Sequence, residues 1–236
     1  VLFSTYDFRE GEETLLLPLP LYHIYAFNAC LGMLARGGHT VLVPNPRDLK
    51  SLVAAFRDSG CTGFAGLNTL FVALCNDADF RAIDFSRLKV TMSGGMALTM
   101  AAARRWQEVT GVEIVEGYGM SETSPVISVN PVNANRLGTI GIAVPSTEVR
   151  LLDDDGNEVQ AGEPGELVVR GPQVMLGYWN QAGETAKVLS PEGWLHTGDV
   201  AVVTPEGYLK IVDRKKDMVV VSGFNVYPNE IEEVVV

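Results

Sequence analysis

The sequence predicts an α/β protein in which a parallel sheet flanked by helices is followed by an antiparallel β-barrel-like subdomain and a short third segment. Strand-like and helix-like stretches alternate through the first half of the 236 residues, as in parallel sheets with helices on both faces. After about residue 138, short Val-rich runs separated by Asp, Gly and Pro turns indicate hairpins. Charged residues at 213–216 interrupt that pattern. We therefore predict domains at 1–137, 138–212 and 213–236.

The first half supplies the elements of the parallel sheet. Strands are predicted at 15–17, 40–43, 63–66, 88–92 and 112–115, and helices at 24–35, 49–56, 69–76 and 99–110. The helices have apolar residues at helical spacing, and Gly37 and Gly38 close the first one. Ligands of such sheets bind outside the carboxyl ends of the strands. We therefore expect the glycine-bearing loops after 88–92 and 112–115 to converge on one ligand.

Composition excludes several classes of function. The chain has 18 basic and 29 acidic residues, whereas a nucleic-acid surface needs concentrated Lys and Arg. Cys30, Cys61 and Cys75 lack the spacing of a disulfide framework or a zinc site. The sequence contains no apolar run long enough to span a membrane. We expect a cytoplasmic protein, and transient membrane contact stays open.

The stretch 116–125, Glu-Gly-Tyr-Gly-Met-Ser-Glu-Thr-Ser-Pro, follows a predicted strand and has the groups of a nucleotide site. Its glycines are expected at a sharp turn where backbone N–H groups approach a ligand. Tyr118 suits stacking on a purine, and the hydroxyls of Ser121 and Thr123 suit phosphate oxygens. Glu122 offers the hard oxygens that Mg²⁺ prefers. The alternative is a solvated turn capped by Ser and Thr.

Six ordered blocks resemble the signatures of the adenylate-forming superfamily, which contains acyl-CoA synthetases, luciferases and peptide-synthetase adenylation domains. The blocks lie at 19–23, 93–98, 116–125, 165–171, 194–199 and 213–217. Pro-Leu-Tyr-His at 20–23 and Asp-Arg-Lys-Lys-Asp at 213–217 are most similar to bacterial medium- to long-chain fatty acyl-CoA ligases. The resemblance implies that 1–137 is part of the large N-terminal domain, and that 213–236 is the hinge and the beginning of the mobile C-terminal domain.

The resemblance implies an activity and its substrates. ATP and Mg²⁺ activate a fatty acid as acyl-adenylate with release of pyrophosphate, and coenzyme A then takes the acyl group with release of AMP. The family's phosphate loop and catalytic lysine have no match in this sequence, so we expect an inactive fragment. The alternatives are a ligase that loads aryl or acyl groups onto a carrier protein, and a nucleotide-binding fragment without turnover. A homodimer also stays open.

The resemblance assigns three residues to catalysis. His23 is expected to position the acyl carboxylate near the phosphoryl group, Glu122 to hold magnesium, and Lys216 to be the hinge about which the C-terminal domain swings. A structural histidine and an ordinary exposed lysine are the alternatives for His23 and Lys216. The aspartate that anchors an amino group in peptide-synthetase domains is not matched near His23, which favours a substrate without an amino group.

The remaining site residues are assigned to nucleotide and coenzyme A. Asp199 is expected to accept the ribose hydroxyls, and Arg214 to contact the nucleotide near ribose and phosphate; a turn former and a surface ion pair are the alternatives. Gly223 would border the path by which the thiol of coenzyme A approaches the acyl-adenylate. The adenine and acyl groove and the nucleotide loop are assigned to Gly94, Gly95, Met96, Glu116, Gly117, Tyr118, Gly119, Met120, Ser121 and Thr123.

Overall fold

A seven-stranded mixed sheet forms the first half of the protein. The structure, a computed structural model, describes residues 8–217, 219–221, 224–226 and 228. The strands are β1 (Thr14–Leu17), β2 (His39–Leu42), β3 (Gly63–Gly66), β4 (Val90–Ser93), β5 (Ile114–Gly119), β6 (Val126–Val129) and β7 (Ile142–Ala143). Their order is β2-β1-β3-β4-β5-β6-β7. The first five pair in parallel, and β6 and β7 are antiparallel additions.

Five helices connect the parallel strands. They are α1 (Ile24–Ala35), α2 (Leu49–Ser59), α3 (Asn68–Asn76), α4 (Ala78–Arg81) and α5 (Met100–Thr110). Side chains of Asp48 and Thr99 accept backbone N–H groups at the starts of α2 and α5, and Gly60 and Gly111 end these helices in the left-handed conformation. Such caps satisfy backbone groups that a helix end leaves unpaired. The predicted bounds of α1 are confirmed without change.

The helices cover both faces of the sheet, as predicted. Leu16 of β1 packs in a core with residues of α2, α3 and α5, whereas Leu15 and Leu17 pack in another core with residues of α1. This division follows from the alternation of side chains along a strand. Trp106 of α5 is fully buried in the first core. Its ring stacks on Phe64 with centroids 5.4 Å apart.

An antiparallel sheet follows, as the turn-rich sequence predicts. It contains β8 (Glu148–Leu152), β9 (Gly165–Arg170), β10 (Leu195–Val203) and β11 (Leu209–Arg214) in the order β11-β10-β9-β8. The predicted turn at 205–207 joins β10 to β11. A further hairpin contains β12 (Val219–Val221) and β13 (Phe224–Val226). The domain boundaries stay predictions; β7 lies beyond residue 138 and pairs with β6.

Three of the differences from the sequence predictions concern β11, a helix after β9 and the end of β5. Asp213 and Arg214 belong to β11 instead of interrupting it. The exposed Arg214 lies on an edge strand, which tolerates charged side chains, and the buried Asp213 accepts the backbone N–H of Arg214 at its Oδ1, 2.7 Å away. A helix, α6 (Ala182–Val188), was not predicted; none of its residues is buried, so it lacks an apolar face. No helix in the described parts of the chain combines the length and apolar character needed to cross a bilayer.

The third difference concerns the end of β5. The strand continues to Gly119 where a turn was expected, and Gly117 and Gly119 pair with β6. Neither glycine adopts the left-handed conformation. A Cβ atom on Gly119 would overlap the carbonyl oxygen of Pro125. The glycine is therefore required for close approach of two backbone segments rather than for a sharp turn.

Candidate functional site

The carboxyl ends of three parallel strands meet at one edge of the first sheet. In register, Gly66 of β3 lies opposite Ser93 of β4, which lies opposite Glu116 of β5. The glycine loop after β4 therefore lies beside the end of β5. A Cβ atom placed on Gly94 would be 3.5 Å from the carbonyl oxygen of Gly117. The two predicted glycine-bearing segments are thus adjacent.

His23 joins the same edge from the loop after β1. Its Nδ1 accepts the backbone N–H of Tyr25 at 3.3 Å and caps α1, so Nε2 is the donor of the neutral ring. A Cβ atom on Gly95 would lie 3.6 Å from Cε1 of His23. The imidazole is exposed and next to the glycine loop. The cap gives His23 a structural role. Among the described residues, no second hydrogen bond involves its exposed ring.

Tyr118, Asp199 and Arg214 form a cluster between the two sheets. The phenol of Tyr118 donates a short hydrogen bond to Oδ2 of Asp199, and Nε of Arg214 lies 3.4 Å from Oδ1. Asp199 of β10 is opposite Arg214 of β11 in the ladder. Burial, followed by the charge of Asp199, raises the pKa of Tyr118. The phenol therefore remains a protonated donor to a carboxylate that is held from two sides.

Glu116 is a half-buried carboxyl group at this edge. Burial raises its pKa to about 7, and the backbone N–H of Gly138, which donates to Oε1 at 3.2 Å, acts in the opposite direction. Desolvation penalises the charged form of a carboxyl group. Glu116 is therefore divided between its neutral and ionised forms near neutral pH, a property that its sequence position did not predict.

Glu122 lies in a 3-10 turn at Ser121–Thr123. Its Oε1 accepts the phenol of Tyr178 at 2.9 Å, and its carbonyl oxygen accepts the backbone N–H of Met175 at 2.7 Å. Sequence reasoning missed Tyr178, because no spacing relates two residues that are 56 positions apart. Its hydrogen bond to Glu122 raises the pKa of Tyr178.

The donor set at Glu122 fits a magnesium ion shared with phosphate. Oε2 of Glu122 has no hydrogen-bond partner among the described residues. No group of three or more His, Cys, Asp or Glu side chains in that part of the chain is arranged to hold a metal. Mg²⁺ commonly takes one or two carboxylates and completes its octahedron with water and substrate phosphates. One half-buried carboxylate with an oxygen left for a cation fits that pattern.

Thr123 differs from its expected role as a phosphate ligand. The residue is fully buried, and its hydroxyl donates to the carbonyl of Pro125 at 2.5 Å and accepts the N–H of Met120 at 3.2 Å. These bonds close the turn, so a phosphate contact would require breaking them. Ser121 is exposed. Of the two hydroxyls, only that of Ser121 is accessible to a ligand.

Residues 2–179 match the model of the AMP-binding enzyme family. The chain belongs to this family. The long-chain-fatty-acid–CoA ligase of Escherichia coli O157:H7 is 52% identical over 227 residues, covering 95% of this chain and 40% of that protein. The ligase of the same name from Yersinia pestis is 51% identical over 229 residues, covering 96% and 41%. The chain thus spans about two fifths of the length of the curated relatives it matches.

A solved structure shares the fold of this AMP-binding family member. The anthranilate CoA ligase AuaEII in complex with anthranoyl-AMP superposes with a TM-score of 0.89 at 30% identity, covering 95% of this chain and 44% of that one. The comparison supports the family assignment and the mixed sheet followed by an antiparallel sheet.

The remaining predicted site residues of this AMP-binding family member make fewer contacts with the other predicted site residues. Met96, in the glycine loop, is 51% exposed, and Met120 packs beside a small core that contains Ile127. Lys216 follows β11 and is exposed. The structure brings neither Met96 nor Lys216 into a hydrogen bond or ion pair with the other predicted residues. Gly223 lies outside the described residues.

Proposed function

We propose that a protein carrying this chain is an ATP-dependent, AMP-forming fatty acyl-CoA ligase for medium- or long-chain fatty acids. About 50% identity to long-chain-fatty-acid–CoA ligases supports the substrate class. The observation that carries the proposal is the Tyr118–Asp199–Arg214 cluster at the edge where the glycine segments meet. It combines an aromatic ring, a carboxylate for hydroxyls and a guanidinium for phosphate in one place.

The proposed reaction has two balanced steps. A carboxylate oxygen of the fatty acid attacks the α-phosphorus of ATP; the bond from that phosphorus to the bridging oxygen of the β-phosphate breaks, and pyrophosphate leaves. The thiolate of coenzyme A then attacks the acyl carbonyl, and the bond to the AMP oxygen breaks. Adenylation is needed because oxide is a poor leaving group, whereas AMP is a stable one.

In this proposal the cluster binds the nucleoside and the strand-end loops bind the reacting groups. The carboxylate of Asp199 accepts hydrogen bonds from the ribose hydroxyls, either together with the bond from the Tyr118 phenol or in its place. Arg214 contacts the ribose and the phosphate. Gly94 permits close approach of the adenine. The exposed ring of His23, with Nε2 as donor, orients the acyl carboxylate. The side chains of His23 and Arg214 are exposed, and Asp199 already accepts the phenol of Tyr118.

Glu122 would hold magnesium through Oε2. Bound magnesium would neutralise phosphate charge that otherwise repels the fatty carboxylate. Lys216 as the hinge and Gly223 at the thiol route remain assignments from the family resemblance. Cytoplasmic location, transient contact with the inner membrane, and homodimerisation stay predictions.

A ligase for aryl acids is the second candidate. The similarity to an anthranilate CoA ligase solved in complex with anthranoyl-AMP favours it, because that protein binds an aromatic acyl-adenylate. The two candidates differ only in the carboxylic acid that the first step accepts, and the first step can be measured alone.

Pyrophosphate exchange into ATP tests the proposal in the full-length protein. We expect exchange with fatty acids, and exchange restricted to aromatic or amino acids would refute the fatty-acid assignment. Glu122→Gln should reduce magnesium-dependent exchange by about 100-fold, comparable to the loss of one transition-state contact. Glu108→Gln, which changes an exposed carboxylate on α5, is the matched control. Unchanged exchange in Glu122→Gln would exclude the metal role.

A further inference from the structure

Tyr178 contacts the carboxylate that the proposed function assigns to magnesium. Its phenol donates to Oε1 of Glu122 at 2.9 Å. Tyr178 lies at residues 171–181, which connect β9 to α6 and are called here the β9–α6 segment. We propose that Tyr178 is a positioning residue that holds the Glu122 carboxylate in the orientation needed to take a divalent cation. The inference rests on the proposed function and extends it to a residue outside the six family-like blocks.

The β9–α6 segment also holds the backbone around Glu122. The backbone N–H of Met175 donates to the carbonyl of Glu122 at 2.7 Å. The side-chain amide of Gln173 donates to the carbonyl of Val126 at 3.1 Å and to Oγ1 of Thr147 at 2.7 Å. These bonds attach the segment to the turn itself and to the strand after it. The phenol and the carboxylate it contacts therefore belong to one connected unit.

Helix α6 fixes Tyr178 from the other side. The backbone N–H of Tyr178 donates to Oγ1 of Thr185 at 2.9 Å, and the Thr185 hydroxyl donates to the carbonyl of Gln181 at 3.0 Å. Gly177 has a φ of +147°, and a Cβ atom there would be 2.9 Å from Cγ2 of Thr185. Glycine thus permits the close approach of the segment to α6. The phenol is directed at Glu122 from an anchored backbone.

The contact leaves one carboxylate oxygen for a cation. The phenol occupies Oε1, whereas Oε2 has no partner in the part of the chain that the structure describes. A neutral donor on one oxygen restricts rotation of the carboxylate without competing for the cation by charge. Hydrogen-bonded neighbours of metal-binding carboxylates typically affect metal affinity by about 10- to 100-fold. We expect an effect of this kind here because the Tyr178 phenol restricts rotation of the Glu122 carboxylate.

Manganese binding to the full-length protein tests the proposal. Mn²⁺ serves as the probe, and its affinity in the presence of ATP is measured by electron paramagnetic resonance. Tyr178→Phe should weaken Mn²⁺ binding about 10-fold and leave AMP affinity in metal-free buffer unchanged. Tyr208→Phe is the matched control, because it removes a phenol that donates to the carbonyl of Ala134 at 2.6 Å. Thermal melts verify that each variant is folded.

The outcomes separate the inference from the function on which it rests. Wild-type affinity for Mn²⁺ in Tyr178→Phe would overturn the positioning role and leave the ligase assignment intact. Failure of the wild-type protein to bind Mn²⁺ with ATP would instead overturn the metal site at Glu122. Equal loss of metal-free AMP affinity would show a merely structural role and overturn the inference. If Tyr178→Phe does not fold, Thr185→Val should weaken Mn²⁺ binding in the same direction, and an unchanged affinity would refute the proposal.

Discussion

Replacement of Glu116 by Gln should change how the stability of the protein depends on pH. Burial raises the pKa of this carboxyl group from 4.5 to about 7, so the folded protein binds its proton more tightly than the unfolded chain does. The resulting stabilisation is complete below pH 4.5 and is lost as pH rises to about 7. The shift corresponds to at most about 3 kcal/mol, and partial exposure of Glu116 reduces that figure.

Urea unfolding of wild type and Glu116→Gln between pH 4.5 and pH 7 measures this loss. Gln retains an oxygen for the N–H of Gly138 but does not ionise. The unfolding free energy of wild type should therefore fall relative to that of Glu116→Gln by up to about 3 kcal/mol, with no further change above pH 7. Glu108→Gln, an exposed carboxylate, is the control. A difference between wild type and Glu116→Gln that stays constant across this window would refute the burial argument.

Two further predictions concern the core and the isolated chain. Trp106→Ala should destabilise the protein by about 4 kcal/mol, because the indole is fully buried and its N–H donates to Oγ1 of Thr91 at 3.1 Å. In the same urea titration, Trp106→Phe should lower the free energy of unfolding by less. Equal losses in the two variants would contradict the role of ring packing. The isolated 236-residue chain should bind AMP weakly and make no acyl-CoA in a thiol-consumption assay, since the family's phosphate loop and catalytic lysine have no match in it. Measurable thioester formation would show that both are dispensable.

Local patterns predicted most of the first sheet. The bounds of α1 and β3 agree with the predicted ranges, because apolar spacing and flanking glycines act over a few residues. The end of β5 was not predicted, since Gly117 and Gly119 look the same in a turn and in a close strand pair. Helix α6 lacks a buried face, so periodicity had no signal there.

The candidate site was predictable where residues stand in family-like blocks, some of which follow predicted strands. His23, Gly94, Tyr118 and Asp199 were selected in this way. Their contacts were not predictable: Tyr118 and Asp199 are 81 positions apart, and the hydroxyl of Thr123 turns inward to close its own turn. The pKa of Glu116 depends on burial, which the sequence does not specify for a single carboxyl group.

The sequence by itself determined the alternation of strands and helices in the first half, the change to turn-rich hairpins after it and the residue types available for nucleotide chemistry. Hydrophobic spacing, caps and turn residues act locally and can be read in order. Only the tertiary structure decided that the Tyr118 phenol meets Asp199 and that the Tyr178 phenol meets Glu122. Those pairs depend on how two sheets and the β9–α6 segment pack, and packing joins residues whose separation along the chain carries no signal.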